Sequence, residues 1–288
     1  MRPRAIALGM ALVAACSNGS RDEHETKTTQ PLRVGFVPAA RDQAARGAPA
    51  IAVDGGGHVF VLDAVNGRVL RKEGGELLTI AEVPRDADDL AIGPDGAIAV
   101  RRSVKPEVLV LDAGGRRVGV VDTSAVPDAD GIALARSRRV IVTTPFQERF
   151  SLGSPAMPQL PAAILASKTE APIAGVRTDD GELELRAGDA RVSLGKGDAV
   201  RVVGIDGDVA CARIEHVGTD AEGAVLTRRE AACTDVRAKR TLFRRELPPP
   251  GAYLPRRELA FAGGVLAFAR VTDAGVEIST WKIERGAR

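Results

Sequence analysis

The chain has 288 residues, of which 27% are charged, yet 40 Lys and Arg against 38 Asp and Glu leave a formal net charge of only +2. A balance this even gives no overall basic field, which argues against a nucleic-acid partner. Aromatic residues make up only 3% of the chain, with one Trp and one Tyr, so side chains that could stack on bases or sugars are scarce.

The first fifteen residues have the organisation of an export signal. Arg2 and Arg4 form a short basic segment, and an apolar stretch follows at 5–14, which is the order found in a secretory signal peptide. The stretch is too short to cross a bilayer, which takes about 20 apolar residues. We therefore predict that residues 1–15 are a signal peptide and that the protein is exported.

The end of this signal resembles the lipobox of bacterial lipoproteins, because residues 12–16 read LVAAC. The resemblance implies that the peptide is cut before Cys16 and that this cysteine carries the lipid, whose several acyl chains would anchor the protein stably in a membrane. Ser17 follows the cysteine, which by the sorting rule of Gram-negative lipoproteins implies the outer membrane of the cell envelope. The alternative is an ordinary signal peptide that leaves Cys16 free.

The remaining chain divides into a tether and one domain. Residues 16–30 are polar and charged without apolar periodicity, which predicts a flexible tether. Residues 31–288 contain short runs of Val, Ile, Leu and Ala between Gly, Asp, Asn and Pro, and this pattern is typical of an all-β domain.

Repeats within the domain indicate its architecture. Three similar units are marked by Ala52, Ala91 and Ala133, so they recur after 39 and then 42 residues. Each unit has room for four short strands, which in the second unit are expected near 89–92, 97–101, 107–112 and 117–121. A repeat of about 40 residues with four antiparallel strands is typical of a β-propeller blade.

The repeats at 51–144 resemble NHL/YVTN-type β-propellers, in which a small-apolar inner strand leads through a Gly/Asp turn into the second strand. The resemblance implies a β-propeller, and the length of the domain predicts about six four-stranded blades, with five or seven left open. We expect a strand near 32–37 to close the ring against the last blade at 259–283. A pair of β-sandwiches is the alternative fold.

Two cysteines remain after Cys16. Cys211 and Cys233 lie symmetrically about Glu222 in a predicted hairpin, so a symmetric register would place them opposite each other at a distance that a disulfide can bridge. Because exported proteins form disulfides, we predict this bond. The alternative is two buried thiols on different strands.

Aspartates that precede the inner strands are the candidate metal ligands. Asp86, Asp88, Asp89, Asp128 and Asp130 occupy such positions in successive units, where they could converge near the channel and bind Ca²⁺ as a cofactor. Gluconolactonase-like propellers bind a central metal from similar positions, although the Glu and Asn that these enzymes also use have no counterpart here. Alternatively, the aspartates bond to the backbone of their own turns.

The sequence contains no recognisable set of catalytic residues, and its paired arginines, such as Arg256 and Arg257, are expected to be solvated. We therefore predict a non-enzymatic binding scaffold, which recognises a protein, peptide or glycan through loops on one face of the propeller. The membrane is the second expected partner, through the lipid on Cys16. The alternative function is a metal-dependent hydrolase or lactonase of the gluconolactonase-like type.

Overall fold

The computed structural model describes residues 25–27, 32–38, 46–102, 104–155, 167–169, 172–219, 221, 223, 225–251 and 253–284. The predicted signal peptide, 1–15, and Cys16 lie outside these residues. The described part consists of β-strands and turns, with one 3-10 turn at Arg136–Arg138. Within this part, no helix combines the length and the apolar character needed to cross a membrane.

The strands form a six-bladed β-propeller, which confirms the predicted fold, and the pair of β-sandwiches is not observed. β1 (Glu25–Lys27) precedes blade 1, which consists of β2 (Ala50–Val53), β3 (Val59–Asp63), β4 (Arg68–Glu73) and β5 (Glu76–Glu82). Blade 2 consists of β6 (Ala87–Ile92), β7 (Ile98–Arg102), β8 (Glu107–Leu111) and β9 (Arg117–Asp122), and blade 3 of β10 (Gly131–Leu134), β11 (Val140–Thr143), β12 (Arg149–Gly153) and β13 (Ser167–Thr169). Blade 4 consists of β14 (Ala174–Arg177), β15 (Glu182–Ala187) and β16 (Ala190–Lys196), and blade 5 of β17 (Ala199–Asp206), β18 (Val209–Thr219), β19 (Val225–Asp235) and β20 (Arg240–Glu246). Blade 6 consists of β21 (Leu259–Ala262), β22 (Val265–Thr272) and β23 (Gly275–Lys282), to which β1 is added as the outermost strand.

Apolar side chains form layers between consecutive blades. Between blades 1 and 2, Leu62 packs in one cluster with Leu90 and Ile98, and all three side chains are fully buried. Burial of each such side chain contributes about 1.5–3 kcal/mol. Ala52 and Ala91, which mark the repeat in the sequence, are buried in the inner strands, where neighbouring blades converge on the channel.

The N-terminal strand closes the ring. β1 pairs with β23 in antiparallel register, and Leu32 forms an additional bridge with Val276. The predicted closing strand near 32–37 is therefore represented only by this bridge, because the closing strand itself is Glu25–Lys27. That strand falls inside the segment 16–30 for which the sequence predicts a tether, so part of this segment belongs to the propeller.

Blade 5 contains the predicted disulfide. Cys211 and Cys233 are opposite each other in the register of β18 and β19 and form a disulfide bond, with their Cα atoms 4.0 Å apart. Both residues are fully buried in the cluster between blades 5 and 6. The prediction of a disulfide in a symmetric hairpin is confirmed.

The innermost strands of five blades run in the same direction: β2, β6, β10, β17 and β21. We call the face of the propeller at which these strands begin the upper face. Ala50 and Arg257 form a parallel bridge that places the starts of β2 and β21 together. Arg257 also binds Asp89 near the start of β6. At the start of β10, Asp130 binds Arg201 of β17. The loops that enter the inner strands therefore meet on this face.

In blade 4 the first strand, β14, runs in the opposite direction to these five inner strands. Only Gly197 and Asp198 join β16 to β17, and such a link reaches about 10 Å, whereas the seven residues of β16 extend over about 23 Å. The end of β16 therefore lies at the upper face, where β17 begins. Because β14, β15 and β16 alternate in direction, β14 runs antiparallel to β17. The hydrogen bond from Gly197 N to Gly181 O agrees with this arrangement, which makes the channel wall irregular between blades 3 and 5.

Candidate functional site

A cavity of about 440 Å³ lies in the channel at this irregular position. Its walls include residues 131–133 of β10, 201–205 of β17, 172–174 before and at the start of β14, and 256–259 before and at the start of β21. A volume of this size is in the range of small-molecule binding sites. The cavity is therefore the candidate functional site.

The charged groups of the cavity lie at its mouth and just below it, and apolar residues of β17 lie deeper. Asp130 and Arg256 are in the segments that enter β10 and β21 at the upper face. β17 runs inward from this face, so Val203 and Ile205 line a deeper part of the wall than Arg201 does. The site thus offers charge at its opening and apolar surface inside.

Asp130 and Asp88 converge, as the sequence predicts, but they converge on an arginine. Arg256 binds Asp130 Oδ1 through Nη1 at 2.9 Å, and its Nη2 lies 3.5 Å from Asp88 Oδ2. Asp130 Oδ2 also forms an ion pair with Arg201 Nη2, at 2.6 Å. A guanidinium therefore stands where the sequence suggests a metal ion.

Asp89 forms a second, buried junction below the mouth. Its side chain is almost fully buried, and Oδ2 accepts hydrogen bonds from Ile132 N at 2.9 Å and from Arg257 Nη2 at 2.8 Å. Oδ1 accepts a third bond from Leu90 N at 2.9 Å. Arg257 in turn donates to Ile132 O at 2.8 Å. This junction connects blades 2, 3 and 6.

The predicted metal ligands do not fit a calcium site. Both carboxylate oxygens of Asp88 accept hydrogen bonds from Arg101, at 2.9 and 2.8 Å. Asp86 accepts a hydrogen bond from Arg102. Asp128 is exposed. Ca²⁺ requires six to eight oxygen ligands, whereas the carboxylates of Asp86, Asp88 and Asp130 already accept hydrogen bonds from arginines. Across the described ranges, no group of three or more His, Cys, Asp or Glu has the geometry of a metal site.

The arginines at the mouth were expected to be solvated, but they form the ion pairs of the site. An alignment of the last blade with the earlier repeats would have indicated these ion pairs from the sequence. Leu259 and Ala260 correspond to Ile132 and Ala133, so Arg257 takes the place of Asp130 in the repeat. The ion pairs join positions that are offset by one residue in this alignment, since Arg257 binds Asp89 and Arg256 binds Asp130.

Arg149, at the start of β12, differs from the other arginines of the cavity. Among the described residues it has no hydrogen-bond or carboxylate partner, and burial lowers the pKa of its guanidinium. At Arg102, by contrast, hydrogen bonds from the guanidinium to Asp86 and Glu107 raise the pKa. Arg149 is therefore a partly desolvated cation that no carboxylate of the described chain neutralises.

The described residues of the lining carry a net positive charge. Among them are five arginines and three carboxylates, which gives a formal net charge of +2. Within the described part of the chain, the Nε atom of Arg213 is also buried without a hydrogen-bond partner. A site with surplus positive charge and unused N–H donors favours an anionic group.

No family model matches this chain, and a search of curated proteins finds no similar sequence. Among solved structures, a streptogramin B lyase is 12% identical with a TM-score of 0.47, over 90% of this chain and 97% of that chain. A DUF4221 family member from Bacteroides vulgatus is 6% identical with a TM-score of 0.46, over 90% and 93%. Hsv2 of Kluyveromyces lactis is 13% identical with a TM-score of 0.41, over 78% and 70%. Likeness at this level transfers no activity to this chain.

Proposed function

We propose that this protein is a lipid-anchored lipoprotein of the outer membrane, whose NHL/YVTN-like propeller is a non-enzymatic binding scaffold. Its ligand binds in the central cavity at the upper face. The observation that carries this proposal is a cavity of ligand size whose described lining has a net charge of +2. In this cavity the Arg149 guanidinium has no hydrogen-bond or carboxylate partner among the described residues. Such a site attracts and holds an anionic ligand without any bond being made or broken.

The acidic side chains of the cavity support binding in preference to catalysis. Asp89 and Asp130 accept hydrogen bonds from arginines, and Glu258 is almost fully buried against Arg229. A general base must be within hydrogen-bond reach of the proton that it removes. These carboxylates instead bond to arginine side chains of the protein itself. They fix the shape of the mouth.

Exposed apolar side chains support the upper face as the side that meets partners. Of the nine large hydrophobic residues that are exposed in the described chain, six lie at this face. They are in the segments that join β7 to β8, β11 to β12, β18 to β19 and β20 to β21, or at the ends of those strands: Val104, Phe146, Val217, Val225, Leu226 and Leu254. Apolar side chains concentrated on one face are typical of interaction surfaces.

The anchoring part of the proposal is tested by Cys16→Ala. We expect the unaltered protein to fractionate with outer membranes and the variant to lose the lipid and leave the membrane fraction. A variant that still fractionates with membranes would overturn the lipid anchor.

The binding part is tested by narrowing the cavity. Ala133 lines the cavity, so Ala133→Leu reduces its volume, whereas Ala113→Leu changes an exposed turn residue and is the matched control. A ligand at 100 times its Kd stabilises a protein by about 2.7 kcal/mol, which corresponds to roughly 5–10 °C in Tm for a domain of this size. In a thermal-shift panel of small organic anions, we expect such a shift for the control and its loss in Ala133→Leu. The cavity is refuted as the site if no compound distinguishes the two variants.

A further inference from the structure

We infer that the ligand is a monocarboxylate with an apolar chain, bound with its carboxylate on Arg149 and its chain along the deeper wall of the cavity. This inference rests on the proposed function and names the chemical class of its ligand. It follows from three features of the cavity: one unpaired guanidinium, the pairing of the arginines around it, and the apolar surface below them.

Arg149 supplies the anion contact. It lies at the start of β12, at the upper face, and lines the cavity. Because the described residues give it no partner, its planar fork of N–H donors is free to bind a carboxylate through two parallel hydrogen bonds. A partly buried guanidinium without a counterion is costly, and an anionic ligand would remove this cost.

The other four arginines of the lining indicate how much charge the ligand carries. Arg201 and Arg256 share Asp130, and Arg257 is bonded to Asp89. Arg213 Nη2 lies 2.6 Å from Glu215 Oε1. Arg149 is thus the guanidinium of the lining that no carboxylate of the described chain pairs with, and a single carboxylate matches it. A doubly charged phosphate monoester would need a second free guanidinium.

The inner wall indicates what is attached to the carboxylate. Apart from its charged groups, the lining of the cavity includes apolar residues of β17 and of the segment before β14: Ile173, Val202, Val203 and Ile205. Each buried CH₂ group contributes about 0.8 kcal/mol, so an acyl chain gains affinity along this wall. A sugar or a second charged group would lose hydration there without finding partners.

The test compares octanoate with octan-1-ol and acetate, all below micellar concentrations, on residues 16–288 purified without lipid. Octanoate has both the carboxylate and the chain, and each of the other two probes lacks one of them. By isothermal titration calorimetry we expect octanoate to bind at least tenfold more tightly than either. Arg149→Gln is expected to weaken octanoate binding by about 10- to 100-fold and to leave octan-1-ol binding unchanged.

Two controls separate ligand recognition from structural effects. Arg191→Gln removes one exposed arginine of β16 and should bind octanoate as the unaltered protein does. Arg149→Gln should keep the Tm of the unliganded protein, since no partner in the described chain is lost. A drop in Tm together with unchanged octanoate binding would make Arg149 a structural residue and overturn the inference.

The outcomes distinguish this inference from the proposed function. If other anions bind the unaltered protein but not Ala133→Leu, while octanoate does not bind, the cavity is the site and the ligand class is wrong. If octanoate binds equally well to Arg149→Gln, the assignment of Arg149 is wrong. If Ala133→Leu binds every compound as the unaltered protein does, the proposed function itself fails.

Discussion

Replacing Asp89 by Asn should destabilise the propeller strongly, although the two side chains have nearly the same shape. Asp89 Oδ2 accepts bonds from Ile132 N and Arg257 Nη2, and Oδ1 accepts a bond from Leu90 N. All three partners are donors. In either orientation of the amide, the NH₂ group of asparagine would face at least one of these donors and leave it unpaired.

The magnitude follows from the burial of the pair. Asp89 is 1% exposed and Arg257 is 23% exposed, so removing the carboxylate charge leaves a largely buried guanidinium without compensation. Breaking a buried ion pair in this way costs about 3–5 kcal/mol. For a domain of this size, each kcal/mol shifts Tm by about 2–4 °C, so we expect Asp89→Asn to lower Tm by roughly 6–20 °C.

The assay is thermal and urea unfolding followed by circular dichroism, with Asp128→Asn as the control. Asp128 is exposed, so its substitution should change stability by no more than about 0.5 kcal/mol. The double variant Asp89→Asn, Arg257→Leu should be less destabilised than the sum of its single variants, because the unpaired cation is removed. If Asp89→Asn behaves like Asp128→Asn, the junction does not hold the blades together and the reasoning fails.

Three further predictions follow from other parts of the molecule. The Cys211–Cys233 disulfide joins residues 22 positions apart in sequence, so its reduction should lower the free energy of unfolding by about 3 kcal/mol. Urea unfolding with and without dithiothreitol measures this difference, and an unchanged unfolding midpoint would contradict it. Burial raises the pKa of Glu230, but the hydrogen bond and charge of Arg244 and the charges of His216 and Arg228 outweigh burial and hold the pKa below 4.5. Its stabilising effect should therefore be present above pH 4.5 and be lost as the pH falls through the lowered value, so the stability difference from Glu230→Gln should shrink on acid titration and not grow. Addition of Ca²⁺ followed by EDTA should move Tm by less than about 1 °C, because Asp86, Asp88 and Asp130 are paired with arginines; a larger calcium-dependent shift would restore the metal hypothesis.

The local features of the fold were predictable from the sequence. The second repeat predicts strands near 89–92, 97–101, 107–112 and 117–121, and the structure has them at Ala87–Ile92, Ile98–Arg102, Glu107–Leu111 and Arg117–Asp122. Such strands are visible because apolar runs and turn residues alternate within one blade. The disulfide was predictable for the same reason, since both cysteines belong to one hairpin.

The site was less predictable because its contacts join distant parts of the chain. Asp89 and Arg257 are 168 residues apart, so nothing near either residue indicates the other. The inverted blade 4 follows from the two-residue link at 197–198, whose consequence becomes clear only when the strands around it are known. Arg149 stands out only because the described structure gives it no partner, a property that has no local sequence pattern.

The most direct test of a ligand-binding cavity is a crystal structure of residues 16–288 grown with octanoate. We predict one octanoate in the central cavity, with both carboxylate oxygens within hydrogen-bond distance of the Arg149 guanidinium and the chain against Val203 and Ile205. A cavity that contains only solvent at saturating octanoate, or an octanoate bound elsewhere on the propeller, would contradict this account.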